Sequence, residues 1–310
     1  MYLFEKSISF DPLKDIPSLT NKVILITGGN AGLGAQCVLE YARHNPSQIY
    51  LAARNLSKAT AAVAEIQAQL SSPAPIKILE LDLSSLESVK RAAAKFKEEA
   101  GRLDVLMLNA GIMAAPPAQT TDGYEVQFGS NYLGHALLAK LLLPVMSTTA
   151  SKPDADVRII MLTSFGHTHA PKEGIAFDTL KTHGEILGPY GRYGQSKLAQ
   201  ILWVRKMTRL YPQFTLSAIH PGVVSTNLTA GATGSSYAVQ ALLGIAKRFT
   251  TSVEKGARNQ LWASVSKDVV SGEYYEPVGI GGGASELGKN DELAERLWEW
   301  TEEELGSHCV

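Results

Sequence analysis

The sequence predicts an α/β fold, a doubly wound parallel sheet of about seven strands with helices on both faces. Short apolar segments, of which Val23–Ile26 is the first, alternate with longer helical segments, and strands joined by helices are typical of parallel sheets. A glycine-rich turn follows the first strand. Other polar motifs also come where a strand ends, which is the edge where such sheets bind ligands. The pattern therefore predicts a ligand site at that edge.

The composition is that of an ordinary globular protein. The chain has 310 residues, of which 45% are hydrophobic and 19% charged, and its formal net charge is -1. It has no long basic stretch that could follow a phosphate backbone, so we expect no nucleic acid as a partner. No apolar run approaches the length of a membrane span, so we expect no transmembrane span. Two cysteines, Cys37 and Cys309, and a start without the apolar region of a signal peptide predict a cytoplasmic protein.

We expect residues 1–20 to form an irregular N-terminal arm and residues 21–310 a single domain, since no repeat or linker divides the chain. Residues 227–250 contain glycines, alanines and apolar side chains such as Tyr237, Leu242 and Ile245. This segment is typical of a mobile helix that closes over a substrate as a lid. The alternative is an amphipathic helix that packs permanently or forms a subunit contact, and the sequence leaves both open.

The turn after the first strand, Thr27–Gly34, has the spacing G-x-x-x-G-x-G and leads into a predicted helix. Glycines let the backbone approach a ligand, and the following helix N-terminus presents free N–H groups and a partial positive charge. Strand, turn and helix together predict a cradle for the phosphates of a dinucleotide. The predicted contacts in this turn are Gly28, Asn30, Gly32, Leu33 and Gly34.

The second predicted strand, Gln48–Ala53, ends at Arg54. In dinucleotide-binding folds an acidic side chain at this point binds the ribose 2′-hydroxyl of NAD, whereas an arginine accommodates the 2′-phosphate of NADP. Because an arginine stands here, the sequence predicts NADP(H) as the cofactor. A solvated arginine at a strand end is the structural alternative, and Asn30 adds no second basic group.

The third predicted strand, Ile76–Leu81, ends at Asp82 and Leu83. Ser84 and Glu87 have the spacing of a capping box, which predicts that Ser84 caps the next helix. Asp82 then has a purely structural role or, on the binding edge, accepts a hydrogen bond from the adenine amine. Both readings stay open, and Leu83 is a predicted cofactor contact beside Asp82.

The remaining strands end in further polar motifs. Strands are predicted over Leu103–Leu108, Val157–Leu162, Thr215–Ile219 and residues 272–276, and helices over residues 57–70, 86–100, 292–304 and the segment that ends near Leu210. Small residues at strand ends would let a flat ligand lie against the backbone. The residues after these strands are Asn109, Ala110 and Gly111, then Ser164, then Pro221, Gly222, Val224 and Thr226.

Tyr193 and Lys197 lie one turn apart on a predicted helix, so their side chains share a face. A tyrosine donates its proton poorly at neutral pH, and a nearby positive charge lowers its pKa towards the catalytic range. We therefore predict that Lys197 lowers the pKa of Tyr193, which acts as a proton donor. The spacing needs companions, because Tyr2 and Lys6 share it in a segment without other motifs.

The ordered motifs resemble those of the short-chain dehydrogenase/reductase family over Asn21–Pro277. The segments Asp122–His135 and Phe177–Asp178 further resemble its retinol dehydrogenase-like branch. The resemblance implies a single-domain Rossmann fold that binds NAD(P). The residues that carry it are Thr27-Gly28-x-x-x-Gly32-x-Gly34, Asp82, Asn109-Ala110-Gly111, Asn131, Ser164, Tyr193-x-x-x-Lys197 and Pro221-Gly222-x-x-x-Thr226.

The resemblance also implies a reaction, hydride transfer between NADP(H) and the carbonyl or secondary alcohol of a fairly apolar small molecule. Tyr193 would protonate the oxygen and Ser164 would orient it. Lys197 would also bind the nicotinamide ribose, and Asn131 would hold a water in a proton relay behind Lys197. The carboxamide end of the nicotinamide would be anchored by Pro221, Gly222, Val224 and Thr226. Relatives pair through the helices that carry Asn131 and Tyr193, which leaves a homodimer or homotetramer open.

Each assignment has a structural alternative. Ser164 read alone is a strand-end hydroxyl, Asn131 a helix-bending or capping residue and Lys197 a solvated helix lysine. For the whole chain, the alternative is a non-catalytic NADPH-binding regulatory or scaffold protein with the same fold. Degenerate members of the family typically lose the tyrosine or the lysine, and this chain has both.

The chain departs from the family pattern by a long insertion over residues 165–190. His167, His169 and His183 lie in it, but no cysteine or fixed ligand spacing accompanies them, so we expect no metal site. Phe165 and Leu228 predict an apolar substrate pocket.

Overall fold

The computed structural model of the chain describes residues 7–224 and 250–308. It confirms the predicted α/β fold, with one sheet of seven parallel strands in the order β3-β2-β1-β4-β5-β6-β7. The order reverses between β1 and β4, and a ligand crevice forms at such a point. The strands are β1 (Val23–Thr27), β2 (Gln48–Ala53), β3 (Ile76–Glu80), β4 (Val105–Leu108), β5 (Arg158–Leu162), β6 (Thr215–Ile219) and β7 (Glu273–Tyr275).

Helices cover both faces of this sheet. A π-helical turn, Gly129–Leu133, connects α5 to α6, and short 3₁₀ turns fill the segment between β5 and α7. The helices are α1 (Pro12–Asp15), α2 (Gly32–Ala42), α3 (Leu56–Gln67), α4 (Leu86–Glu99), α5 (Val126–Phe128), α6 (Gly134–Ala150), α7 (Gly188–Leu210), α8 (Val253–Val265) and α9 (Asp291–Leu305).

The central strands are apolar along their whole length because both faces are covered. Successive side chains of a strand point to opposite faces, so Leu25 packs into the layer formed with α4, α6, α7 and α9, while Ile24 and Ile26 pack into the layer with α2, α3 and α8. All three side chains are fully buried. The β-branched run predicted this two-sided burial correctly.

The cap of α4 differs from the prediction by one residue. Ser85, not Ser84, is the N-cap, and its hydroxyl accepts a hydrogen bond from the backbone N–H of Ser88. Ser84 instead donates its hydroxyl hydrogen to Asp82, at 2.6 Å. Ser84 therefore stabilises the turn after β3 through Asp82, and Ser85 has the extended backbone that an N-cap requires.

The N-terminal arm contributes to the core more than its sequence indicated. Its described part contains the short helix α1 and buries Phe10, Ile16 and Leu19 in the layer with α2 and α8. The backbone N–H of Ile8 donates to the carbonyl of Val278, 2.9 Å away. The arm is thus attached to the loop that follows β7.

The C-terminal helix α9 lies along α6 and α7. Tyr132 contacts Thr301 at 2.6 Å between hydroxyl oxygens, and ion pairs join Lys140 to Glu302 and Lys206 to Glu295. The outer faces of the helices that carry the site are therefore partly covered within the chain. Pairing of two chains through these helices would have to accommodate α9.

The segment Val126–Ala150 is the described part of the chain that is long and apolar enough to cross a membrane. Within its 25 residues, a window of 18 residues reaches a mean hydropathy of 1.3, so the expectation that no run approaches this length is wrong. However, 61% of the apolar window is buried inside the fold. Such burial is what a core helix of a sheet requires, and the segment is weak evidence for a membrane span.

Candidate active site

The glycine-rich turn has the backbone of a phosphate cradle. Gly28 and Gly32 have φ angles of +66° and +51°, in the left-handed region that favours glycine. A Cβ atom on Gly34 would lie 2.3 Å from the carbonyl oxygen of Gly28, so only glycine fits there. Ala31, the N-cap of α2, gives no side-chain cap, and the first N–H groups of the helix face the turn. These features fit the pyrophosphate of a dinucleotide.

The cradle is joined to the end of β4 through Thr27. Its hydroxyl oxygen accepts from the backbone N–H groups of Asn109 and Ala110, at 2.9 and 3.0 Å, and its carbonyl accepts from the Asn109 side chain at 2.8 Å. Gly111 follows directly and lies close to Lys197, because a Cβ on this glycine would lie 3.6 Å from Lys197 Nζ. The predicted motifs after β1 and β4 are therefore neighbours.

The residues predicted to bind the adenosine end lie after β2 and β3. Arg54 is exposed, and Asn55 next to it caps α3. Asp82 has a structural role, since its Oδ1 accepts from the backbone and hydroxyl of Ser84. The carbonyl of Leu83 would lie 2.4 Å from a Cβ on Gly134, so this turn packs tightly against the start of α6.

The loop after β6 approaches the cradle from the other side. Gly222 has a φ angle of +84°. A Cβ on Gly256 of α8 would come within 2.4 Å of Val224 and 3.0 Å of Leu33, so these two side chains meet over that glycine. Pro221 begins this loop. Thr226 and Leu228 lie outside the described residues, as does the predicted lid over residues 227–250 except for its last residue.

Ser164 and Tyr193 meet at the carboxyl edge of the sheet. Ser164 follows β5, and Tyr193 is buried on α7. The close approach requires Gly166, because a Cβ there would lie 2.7 Å from the tyrosine ring. Burial raises the pKa of Tyr193 to about 12, and a hydrogen bond with Ser164 opposes this rise. The prediction of a lowered pKa is therefore wrong for these residues by themselves, and the phenol is protonated at neutral pH, as a proton donor must be.

Lys197 is buried on the same helix, with Nζ 5.6 Å from the centre of the Tyr193 ring. Its ammonium donates to the carbonyl oxygen of Leu162 at 2.9 Å and to Oε1 of Gln200 at 3.1 Å. Both acceptors are neutral, and within the described residues no ion pair involves this lysine. Burial accordingly lowers the pKa of Lys197 to about 7, so it changes charge in the neutral range.

Asn131 lies in the π-helical turn and hydrogen-bonds the segment that follows β4, close to Lys197. Its Oδ1 accepts from the N–H of Ile112 at 2.8 Å, and its Nδ2 donates to the carbonyl of Ile112 at 2.9 Å and to Ser196 Oγ at 3.0 Å. π-Turns of this kind are frequent at functional sites. The Asn131 side chain therefore joins Ile112, the residue after Gly111, to Ser196 on α7.

The sequence interpretation missed two buried residues behind this set, Gln200 and His135. Gln200 Nε2 and His135 Nδ1 both face the backbone carbonyl of Asn131, at 2.7 and 2.8 Å. A carbonyl only accepts, so His135 carries its proton on Nδ1, and Nε2 accepts from the hydroxyl of Thr27 at 2.9 Å. Burial lowers the pKa of His135 to about 4, so the ring is neutral. Gln200 belongs to no motif, and His135 ends the segment Asp122–His135, whose resemblance assigned this side chain no role. Only the spatial contacts reveal what the two side chains do.

A buried ion pair involves Arg192, the residue that directly precedes Tyr193 on α7. Arg192 Nη1 is 3.0 Å from Glu125 Oε1, and both side chains are at most 1% exposed. Arg192 also donates to the carbonyl of Ala115 at 2.8 Å, and Glu125 Oε2 accepts from the N–H of Phe128 at 2.7 Å. This pair connects α7 to the loop after β4 and to α5.

Among the described residues, the histidines of the insertion are not grouped as metal ligands. His167 is buried, with Nδ1 2.8 Å from the carbonyl of Ser164 and Nε2 accepting from the N–H of Ser285 at 3.1 Å. His167 thus supports the strand end that presents Ser164. Across residues 7–224 and 250–308, no three His, Cys, Asp or Glu side chains are grouped as metal ligands.

Comparisons with known proteins agree with this geometry. The family model of short chain dehydrogenases matches residues 22–177. A short-chain dehydrogenase/reductase, drtF of Aspergillus calidoustus, is 39% identical over 94% of this chain and 95% of its own length. Human retinol dehydrogenase 13 is 36% identical over 91% of this chain and 83% of its own length. Among solved structures, an uncharacterized protein of Mycobacterium paratuberculosis superposes with a TM-score of 0.72 at 29% identity, over 94% of this chain and 96% of that one.

Proposed function

Because this chain belongs to the short-chain dehydrogenase/reductase family, in its retinol dehydrogenase-like branch, we propose that it is an NADP(H)-dependent oxidoreductase acting on the carbonyl or secondary alcohol of a fairly apolar small molecule. The observation that carries the proposal is the meeting of Ser164, Tyr193 and Lys197 at the sheet edge, beside a turn that fits a dinucleotide phosphate. When bound, the cofactor supplies the hydride.

In the direction of reduction, Tyr193 donates its phenolic proton to the carbonyl oxygen while the carbonyl carbon accepts the hydride. Ser164 donates a hydrogen bond to the same oxygen and orients it. The charge of Lys197 stabilises the phenolate that remains, and its ammonium also binds the nicotinamide ribose. General acid catalysis of this kind contributes about 10²- to 10⁴-fold to a rate, so the buried and protonated state of Tyr193 is the decisive property.

The remaining predicted residues bind the cofactor in this proposal. The turn over residues 28–34 holds the pyrophosphate, Arg54 the 2′-phosphate, and Asp82 and Leu83 the adenine. Asn109, Ala110 and Gly111 give the flat surface between the two ends. The nicotinamide carboxamide is anchored by Pro221, Gly222, Val224 and Thr226.

Apolar side chains at the same edge support an apolar substrate. Phe165, directly after Ser164, is 53% exposed, and Val223 after β6 is 67% exposed. Exposed apolar groups beside a reactive centre favour an apolar ligand. The similarity to retinol dehydrogenases supports the same substrate class.

The test is NADPH oxidation with a panel of apolar ketones and aldehydes, comparing the parent with Tyr193→Phe. We expect turnover by the parent and a loss of at least about 10²-fold in the variant, which keeps the ring but not the proton. NADPH binding by both proteins should remain. If both bind NADPH and the parent turns over no carbonyl, the chain is a cofactor-binding protein without this activity.

A further inference from the structure

Gln200 joins Lys197 to the backbone of the π-helical turn. It lies one turn after the lysine on α7 and is fully buried. Its Oε1 accepts from Lys197 Nζ at 3.1 Å, and its Nε2 donates to the carbonyl of Asn131 at 2.7 Å. The ammonium only donates and the carbonyl only accepts, so these two partners determine which end of the amide faces each of them.

The hydrogen bonds continue from Asn131 to the cofactor cradle. His135 donates to the same carbonyl, and Thr27 donates to His135. Thr27 in turn accepts from the N–H groups that follow β4. A continuous series of hydrogen bonds, which passes through the backbone carbonyl of Asn131, therefore runs from the end of β1 to the ammonium of Lys197.

We propose that Gln200 is a positioning residue that links Lys197 to Asn131 directly, in the place that the family resemblance assigns to a water. The carbonyl oxygen of Asn131 has two lone pairs, and the donors of Gln200 and His135 face it. This inference rests on the proposed function, because it concerns the lysine of that reaction.

The link has a consequence for the charge of Lys197. Three other titratable groups face it: Tyr193 on the same helix, His135 from α6 and His220 after β6. Burial lowers the pKa of both histidines to about 4, so they are neutral near pH 7. The acceptor oxygen of Gln200 is then one of two neutral groups that favour the protonated lysine.

Two substitutions change this acceptor in opposite directions. Gln200→Met keeps the length of the side chain and removes both hydrogen bonds, whereas Gln200→Glu keeps an acceptor and adds a negative charge. The matched control is Gln195→Met, because Gln195 is equally buried on α7 but accepts from the N–H of Ala176, away from Lys197. All three proteins are compared with the parent by thermal unfolding, so that a folding defect is recognised.

The measurements are the pH dependence of NADPH binding, followed by fluorescence, and of kcat. Both should decline as Lys197 loses its proton. We expect the midpoint of this decline to move about one pH unit lower in Gln200→Met and to a higher pH in Gln200→Glu. In Gln200→Met, the protonated fraction of Lys197 at pH 7 falls from about one half to about one eleventh, so kcat at pH 7 should fall about fivefold. Gln195→Met should keep the parent's midpoint.

Equal midpoints in the parent and both Gln200 variants would overturn the proposal, as would a common shift that includes Gln195→Met. The binding readout separates this inference from the proposed function. If the parent binds NADPH but reduces no carbonyl, the proposed function fails, and the binding midpoints still decide the role of Gln200. If the parent is active and the midpoints do not move, only the role of Gln200 fails.

Discussion

Helix α7 carries two buried cations five residues apart, and their partners differ in kind. Arg192 faces the carboxylate of Glu125 at 3.0 Å. Lys197 faces only neutral oxygens, those of Leu162 and Gln200, among its described hydrogen bonds. Their exposed fractions are similar, at 1% and 5%, so burial alone does not distinguish them.

The chemical nature of its partner decides whether a buried cation can titrate. A guanidinium stays charged, and its carboxylate compensates the loss of water, so Arg192 is a fixed structural connection. An ammonium with neutral acceptors has no such compensation, and burial lowers the pKa of Lys197 to about 7. We infer that the first cation serves the fold and the second serves the reaction.

The largest expected effect is on stability, from Arg192→Met. It leaves the carboxylate of Glu125 buried without its partner, which should lower the free energy of unfolding by about 3–5 kcal/mol. Urea unfolding measures this loss. The double variant Arg192→Met/Glu125→Gln removes the stranded charge and keeps an acceptor for the N–H of Phe128, so it should recover most of the stability. No recovery of stability in the double variant would show that the charge of Glu125 is not what Arg192 compensates.

The second effect is on activity, from Lys197→Met. We expect kcat/KM for carbonyl reduction to fall about 10²- to 10³-fold, since the phenolate of Tyr193 loses its stabilising charge. Stability should be kept or increased, because a buried cation without a charged partner is removed. Lys206→Met is the control, since Lys206 lies on the same helix but pairs with Glu295 at the surface. Equal losses of activity in both variants would contradict the assignment.

The third effect is a pH dependence of stability. Between about pH 7 and 9 the unfolded chain keeps the proton of Lys197, whose ordinary pKa is 10.5, while the folded protein loses it. The unfolded state then binds more protons, so the free energy of unfolding should rise with pH, by about 1–2 kcal/mol over this window. Titration of the buried histidines changes the free energy of unfolding below this pH window. Titration of Cys37, whose ordinary pKa is 9.0, changes it above the window. Lys197→Met should flatten the rise and Arg192→Met should not, as denaturation at several pH values would reveal.

The smallest effect concerns a cation at the surface, Arg54. It is exposed at the end of β2, so its proposed partner is the cofactor. Arg54→Ala should weaken NADPH binding about tenfold and leave NADH binding nearly unchanged. Lys58→Ala removes an exposed charge about one turn into α3 and serves as the control. Equal losses for both cofactors in Arg54→Ala would refute the assignment to the 2′-phosphate.

The sequence predicted what depends on local pattern. The apolar run of β1 predicted burial on both faces, and the spacing of Tyr193 and Lys197 predicted a shared helix face. Ser84 was predicted as the cap of α4 because Glu87 gives it the spacing of a capping box, but Ser84 binds Asp82 and Ser85 caps the helix. The predicted direction of the Tyr193 pKa was wrong because burial of the phenol raises this pKa more than the hydrogen bond with Ser164 lowers it.

The rest could not be read from the sequence because it depends on contacts between distant segments. Gln200 is 69 residues from Asn131 along the chain, and Arg192 is 67 residues from Glu125. A glutamine or an arginine on a helix has no signature of its own, and most are solvated. Their roles become visible only when the fold packs α5 and the π-helical turn against α7.

The π-helical turn around Asn131 makes this part of the chain sensitive to length as well as to composition. Such a turn contains one more residue than the α-helical turn it replaces. Deletion of Ser130 would restore an ordinary helix and rotate the preceding segment by about 100° relative to α6. We expect this deletion to preserve the helical circular dichroism and to abolish NADPH turnover, whereas Ser130→Ala should be tolerated. At Ser130, then, a change in the length of the chain should damage the site more than a change of side chain.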